Sequence, residues 1–105
     1  MHFTSYLENG RLTVALTGEI DHHCAKHYIQ AISAKIEAYT PEICILDFGE
    51  VTFIDSSGIA VVINALRAMA QIEGKLILSG MASQPMRVVR ASGIDKIVEI
   101  KEAVT

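Results

Sequence analysis

The chain has 105 residues, 50% of them hydrophobic, enough for one domain spanning 1–105 with a real core and little room for a second. Its formal net charge of −3 excludes the basic surplus that drives general binding to nucleic acid. Met1 to Tyr6 runs into polar Glu8-Asn9-Gly10 and not into a secretory apolar core; the longest apolar stretch, Ile59 to Leu66, is broken by Asn64 and falls short of the roughly 20 residues of a membrane helix.

Phe3 to Leu7 predicts a first strand, and Asn9-Gly10 is the usual pair of a tight hairpin. Arg11 to Thr17 alternates polar and apolar residues, so Leu12, Val14 and Leu16 face a core and the two segments pair antiparallel. Gly18-Glu19-Ile20 ends that strand. Asp21 is a good N-cap for a helix from about His22 to Tyr39, with Ala25, Tyr28, Ile29, Ile32, Ile36 and Tyr39 as its apolar stripe, and Thr40-Pro41 stops it. Ile43 to Phe48 has the length and β-branched content of a buried strand. Gly49 to Ile54 reads as the connection that follows, anchored in the core by Phe53 and Ile54.

Asp55 to Gly58 is expected as a loop feeding a second helix, which carries Ile59, Val62, Ile63, Leu66, Met69 and Ala70 at helical spacing. That helix ends near Gly74, the expected left-handed cap after Glu73. Lys75 to Gly80 reads as a short strand, Ser83 as the N-cap of a helix with Pro85 in its first turn, Ser92-Gly93 as its stop, and Ile97 to Ile100 as a last strand. Lys101 to Thr105 is a tail or a frayed helix.

Hairpin, helix, strand, helix, strand, helix, strand is an α/β order. It predicts a mixed, mostly parallel sheet of about four to five strands with an N-terminal hairpin, packed against helices. In such sheets the loops leaving the C-terminal strand ends form the working edge. Gly18 to Asp21 and Gly49 to Gly58 both lie there, which allows them to be neighbours in space although they are far apart in sequence.

Chemistry concentrates at Asp55-Ser56-Ser57-Gly58. Aspartate and serine cap helices because their side-chain oxygens accept from unpaired backbone N–H groups. A phosphate on an exposed serine here would meet free N–H groups and the positive end of the helix dipole. Spacing alone favours plain capping, the commoner role. His22, His23, Cys24 and His27 cluster, and His23 and His27 share a helix face. The sequence places no third metal ligand, so a polar helix face is the simpler reading. Cys44 alternates into a buried strand as a small core residue. Without a secretory context, Cys24 and Cys44 read as free thiols of a reducing cytoplasm. Asp47-Phe48-Gly49 imitates a kinase magnesium motif, but no catalytic-loop signature, strand lysine motif, Walker loop or dinucleotide fingerprint accompanies it. Ser56 has no recognisable base at a fixed offset, which argues against a serine hydrolase. Arg87 and Arg90 share a helical turn and read as a solvated face.

Two motifs coincide at their mutual spacing. Thr17-Gly18-Glu19-Ile20-Asp21-His22-His23, following a hairpin, resembles the start of the first helix in STAS-domain anti-anti-sigma factors of the SpoIIAA type, and Phe53-Ile54-Asp55-Ser56-Ser57-Gly58-Ile59 resembles their phosphorylation loop. The resemblance implies a non-enzymatic, cytoplasmic switch without a cofactor. Its unphosphorylated form binds an anti-sigma factor that is also a serine kinase, and so frees the sigma factor. Phosphorylation falls on Ser56, and a serine phosphatase resets the switch. Asp21, Asp55, Ser57, Gly58 and Ile59 then form the phosphate environment and partner surface, and a transiently bound nucleotide is compatible with the family. A stress-response antagonist is the nearest rival within the family. The alternative from another class is a STAS module binding nucleotide or lipid, or a regulatory subunit of a transport system.

Overall fold

The computed structural model describes residues 3–102. Strand β1 (Phe3–Glu8) turns through Asn9 and Gly10, both at positive φ, into β2 (Arg11–Ile20). Positive φ at both central residues suits the tight turns whose twist matches that of paired strands. Helix α1 (His22–Tyr39), β3 (Ile43–Ile54), α2 (Ser56–Gln71), β4 (Lys75–Ser79) and α3 (Ser83–Ser92) follow, then a 3₁₀ turn at Ile94–Lys96 and β5 (Glu99–Lys101). The five strands lie in chain order, β1 antiparallel to β2 and every later pair parallel. Because each right-handed crossover steps the same way along the sheet, all three helices cover one face. Leu12, Val14, Leu16, Cys44, Leu46, Phe48, Leu76 and Leu78 point into that layer and meet Tyr28, Ile32, Ile36, Val61, Val62, Met69 and Val89. Among the described residues no helix covers the opposite face; Tyr6, Arg11, Thr13, Ile45, Asp47 and Ser79 surround an open hollow of about 480 Å³ there.

β2 ends with Gly18-Glu19-Ile20, as expected, and these residues are still paired. Several expectations are corrected. Gly49 to Ile54 is strand, not connection, and pairs with Thr17–Ile20. The alternation fails there because β3 twice carries an extra residue. Ala15 to Thr17 spans two steps opposite the three from Asp47 to Glu50, and Gly18 to Glu19 spans one step opposite the two from Val51 to Phe53. At the first of these bulges Asp47 Oδ1 accepts from the Gly49 N–H at 2.8 Å, so the Asp-Phe-Gly run is a structural device. Ile54 is buried as expected, but Phe53 is 40% exposed.

α1 keeps its expected bounds and cap, but its stripe shifts. Cys24 joins the buried side, Ile29 is half-buried and Tyr39 lies exposed. The buried line of α2 is Gly58, Val61, Val62, Ala65 and Met69; Ile59, Ile63 and Leu66 are half-buried and Ala70 exposed. Glu73, not Gly74, takes the left-handed conformation after α2, and the Gly74 N–H returns to Met69 O at 2.8 Å. Ala82, not Ser83, occupies the N-cap position of α3, without a side-chain bond. The last strand is shorter than expected and follows the 3₁₀ turn. Lys101, assigned to the tail, ends β5, and residues 103–105 of that tail lie outside the described residues.

Candidate functional site

The site forms where β2 and β3 end side by side. Ile20 pairs with Ile54, and each is followed at once by an aspartate and a helix. Both strands deliver an extended Asp N-cap, Asp21 at φ −119° and Asp55 at φ −118°. Asp21 Oδ1 accepts from the His23 N–H at 2.9 Å, and Asp55 Oδ1 from the Ser57 N–H at 2.8 Å. The Asp55 N–H donates to Ile20 O at 3.4 Å and links the two termini. Two positive helix ends therefore share one stretch of sheet edge. Gly18 to Asp21 and Gly49 to Gly58 are neighbours, as their places in the chain order allow.

Ser56 is the first helical residue of α2 and is exposed. It lies inside the first turn, not in a loop before it. Asp55 carries the capping carboxylate, while Ser57, half-buried, contributes its backbone N–H. Gly58 is buried, and a Cβ there would stand 2.7 Å from Ile54 Cβ, so only glycine lets α2 settle this closely on the end of β3. Ile59 follows, half-buried. On the α1 side, His22 and His23 are exposed with ring centroids 4.0 Å apart, while the Cys24 thiol turns inward toward Glu19 O at 3.4 Å and Asp21 O at 3.5 Å.

Burial pushes the Asp21 carboxyl up, but the His23 N–H it accepts, the nearby His23 ring and the Cys24 donors outweigh burial and hold it below the ordinary carboxylate value. Burial alone pushes the Cys44 thiol up to about 12, which suits an inert core residue. Both cysteines are free. Among the described residues no group of three or more His, Cys, Asp and Glu is placed to hold a metal ion. His27 instead packs its ring near Phe3 and Tyr28. Arg87 and Arg90 are exposed on α3.

One contact had no sequence signal. Gln84, on α3, accepts from the Ile54 N–H and donates from Nε2 to Ile54 O, both at 2.9 Å. The partners are 30 residues apart, so no local spacing announces them.

The model of the STAS domain family matches residues 4–105. An anti-sigma-B factor antagonist of Listeria monocytogenes is 27% identical over 97 residues, 90% of this chain and 82% of that protein. An anti-sigma F factor antagonist of Lysinibacillus sphaericus is 30% identical over 95 residues, 90% and 81% of the two chains. The Bacillus cell fate determinant SpoIIAA, solved in its phosphorylated form, superposes with a TM-score of 0.77 at 25% identity, over 98% of this chain and 92% of that one. The chain belongs to the STAS domain family and has the SpoIIAA fold.

Proposed function

We propose that the chain is an anti-anti-sigma factor switched by phosphorylation of Ser56. Unphosphorylated, it binds an anti-sigma factor that is also a serine kinase, in the cytoplasm, and so releases the sigma factor. The phosphate breaks that complex, and a serine phosphatase restores it. The observation that carries this reading is the division of labour at the start of α2. Asp55 supplies the cap, which leaves the exposed Ser56 hydroxyl available for modification. The two relatives named as antagonists of anti-sigma factors support the binding role, and the phosphorylated SpoIIAA structure supports a covalent switch on this fold.

The surface beside Ser56 suits a protein partner. α2 has a single charged residue, Arg67, over its 16 residues; half-buried Ile59 and Ile63 follow Ser56 by three and seven positions, at helical spacing, and Phe53 before it is exposed. Asp21, His22 and His23 form the polar margin.

A phosphate adds about −1.5 to −2 charges at neutral pH. The α2 N-terminus favours it by about 0.3 to 1 kcal/mol, and Asp55 and Asp21 oppose it. These contributions offset each other within the domain, so the fold tolerates the group. Across an interface, a like charge at about 4 Å costs about 4 kcal/mol at an effective dielectric near 20. That corresponds to roughly a thousandfold in affinity, less at high salt. Electrostatics and bulk thus suffice without a large rearrangement.

The test is incubation with the anti-sigma kinase of the same genome and ATP, with the phosphate mapped by mass spectrometry while complex formation is followed. Phosphate on Ser56 with loss of the complex is the expected result. No modification and no complex removes the reading. A tight nucleotide or lipid recovered with the purified protein would then favour the ligand-module alternative, with the hollow on the uncovered sheet face as its site.

A further inference from the structure

We propose that Gln84 is a positioning residue for the Ser56 switch, an amide clasp that makes the geometry of the phosphoacceptor turn depend on α3. The inference rests on the reading of Ser56 as the modified residue. The pairing of β3 with β4 ends at Asp47 and Ser79, while β3 itself runs seven residues further, to Ile54. Over that extension β2 is the strand neighbour on one side, and β4 no longer supplies one on the other. Gln84 fills this gap at its last residue. Its amide presents an acceptor to the Ile54 N–H and a donor to Ile54 O, as a neighbouring strand residue would. Ile54 is fully buried, so without the clasp two backbone groups lose their partners where water has little access. Asp55 and Ser56 follow directly.

The clasp is chemically selective. A primary amide presents donor and acceptor side by side in one plane; an ionised carboxylate presents acceptors alone, and an alkyl group presents neither. Pro85, buried beside Gln84, pins the backbone from which the amide reaches. Gln84 is itself only partly buried and is not among the residues of the hydrophobic core.

The experiment compares wild type, Gln84→Leu and Gln84→Glu by amide hydrogen exchange and by steady-state phosphorylation with the anti-sigma kinase of the same genome. In Gln84→Leu, exchange at Ile54, Ser57 and Gly58 is expected to rise about tenfold while the middle of α1 stays protected. The kcat/KM for phosphorylation of Ser56 should fall about tenfold, within the roughly hundredfold that a misplacement of about 1 Å costs. Gln84→Glu sets a second carboxylate oxygen against Ile54 O when ionised and donates to it when protonated, so protection at Ile54 should return in this variant as the pH is lowered and should not return in Gln84→Leu. That pH-dependent rescue separates positioning from a general loss of stability. Unchanged exchange in Gln84→Leu, or raised exchange with a wild-type kcat/KM, overturns the proposal alone. A wild-type protein that takes no phosphate on Ser56 overturns the function proposed above, and this role with it.

Discussion

The two helix N-termini at the sheet edge are built alike and carry different residues. Each follows a buried isoleucine, each is capped by an aspartate in nearly the same extended conformation, and each cap accepts from the residue two positions on. After the cap, α1 carries His22-His23-Cys24 and α2 carries Ser56-Ser57-Gly58. The cap is therefore a structural device common to both. What distinguishes the α2 terminus is a small exposed hydroxyl at its first position and a glycine at its third. Cys24 fills the space at the third position of α1 with its side chain; Gly58 gives that space up, and α2 sits directly on Ile54.

The sharpest way to break the comparison is to remove the hydroxyl. Ser56→Ala is expected to abolish phosphate uptake while leaving binding of the unmodified protein to its partner, read by mass spectrometry and a pull-down. Phosphate that persists on the variant would move the acceptor elsewhere. Next in size, Gly58→Ala is expected to cost about 1 to 3 kcal/mol through the clash with Ile54. Cys24→Ala at the matching position should cost less, since it removes atoms instead of forcing them in, and urea unfolding of both variants ranks them. Smaller again, Asp55→Ala should cost about 1 kcal/mol as the loss of a helix cap. Ser57→Ala should stay within about 0.5 kcal/mol, because Ser57 gives the cap only its backbone N–H.

The subtlest difference is in acid. The Asp21 carboxyl titrates below its usual value in the folded chain. Its charge thus contributes stability that is present above the unfolded value of 3.8 and is lost as pH falls through the lower folded one. Asp21→Asn keeps a capping oxygen and removes that titration. The stability gap between it and the wild type, measured by denaturant unfolding, should be open at neutral pH and close at low pH. A gap that does not change with pH would show that the charge of Asp21 is not what distinguishes the two.

Where local signals coincide, sequence reading reached individual residues. A hairpin pair, an aspartate cap and a proline stop bracket α1, and its bounds follow from them. The same reading lost the second half of β3, because two bulges destroy the period of two on which strand recognition depends. It placed Val62 and Met69 in the buried line of α2 correctly and missed Gly58, Val61 and Ala65. Hydrophobicity favours large residues such as Ile63 and Leu66, but a helix packed this close buries small ones, Gly58 and Ala65. At the site, the Asp-Ser-Ser-Gly stretch was legible as a cap, whereas the assignment of capping to Asp55 needed the geometry. Gln84 was not legible at all, since its partner is fixed by the approach of α3 and not by any spacing along the chain.

The strand order carries a consequence for how the chain is made. Each strand pairs with the one synthesised before it, so the sheet can grow from the hairpin outward as the chain leaves the ribosome, each later addition closing one helical crossover. The two Asp-capped termini are in place once α2 docks, but the residue that grips Ile54 emerges later, with α3. A nascent chain halted between the two would present the Ser56 turn before Gln84 could grip it, so correct presentation of that turn reports that the rest of the domain has arrived.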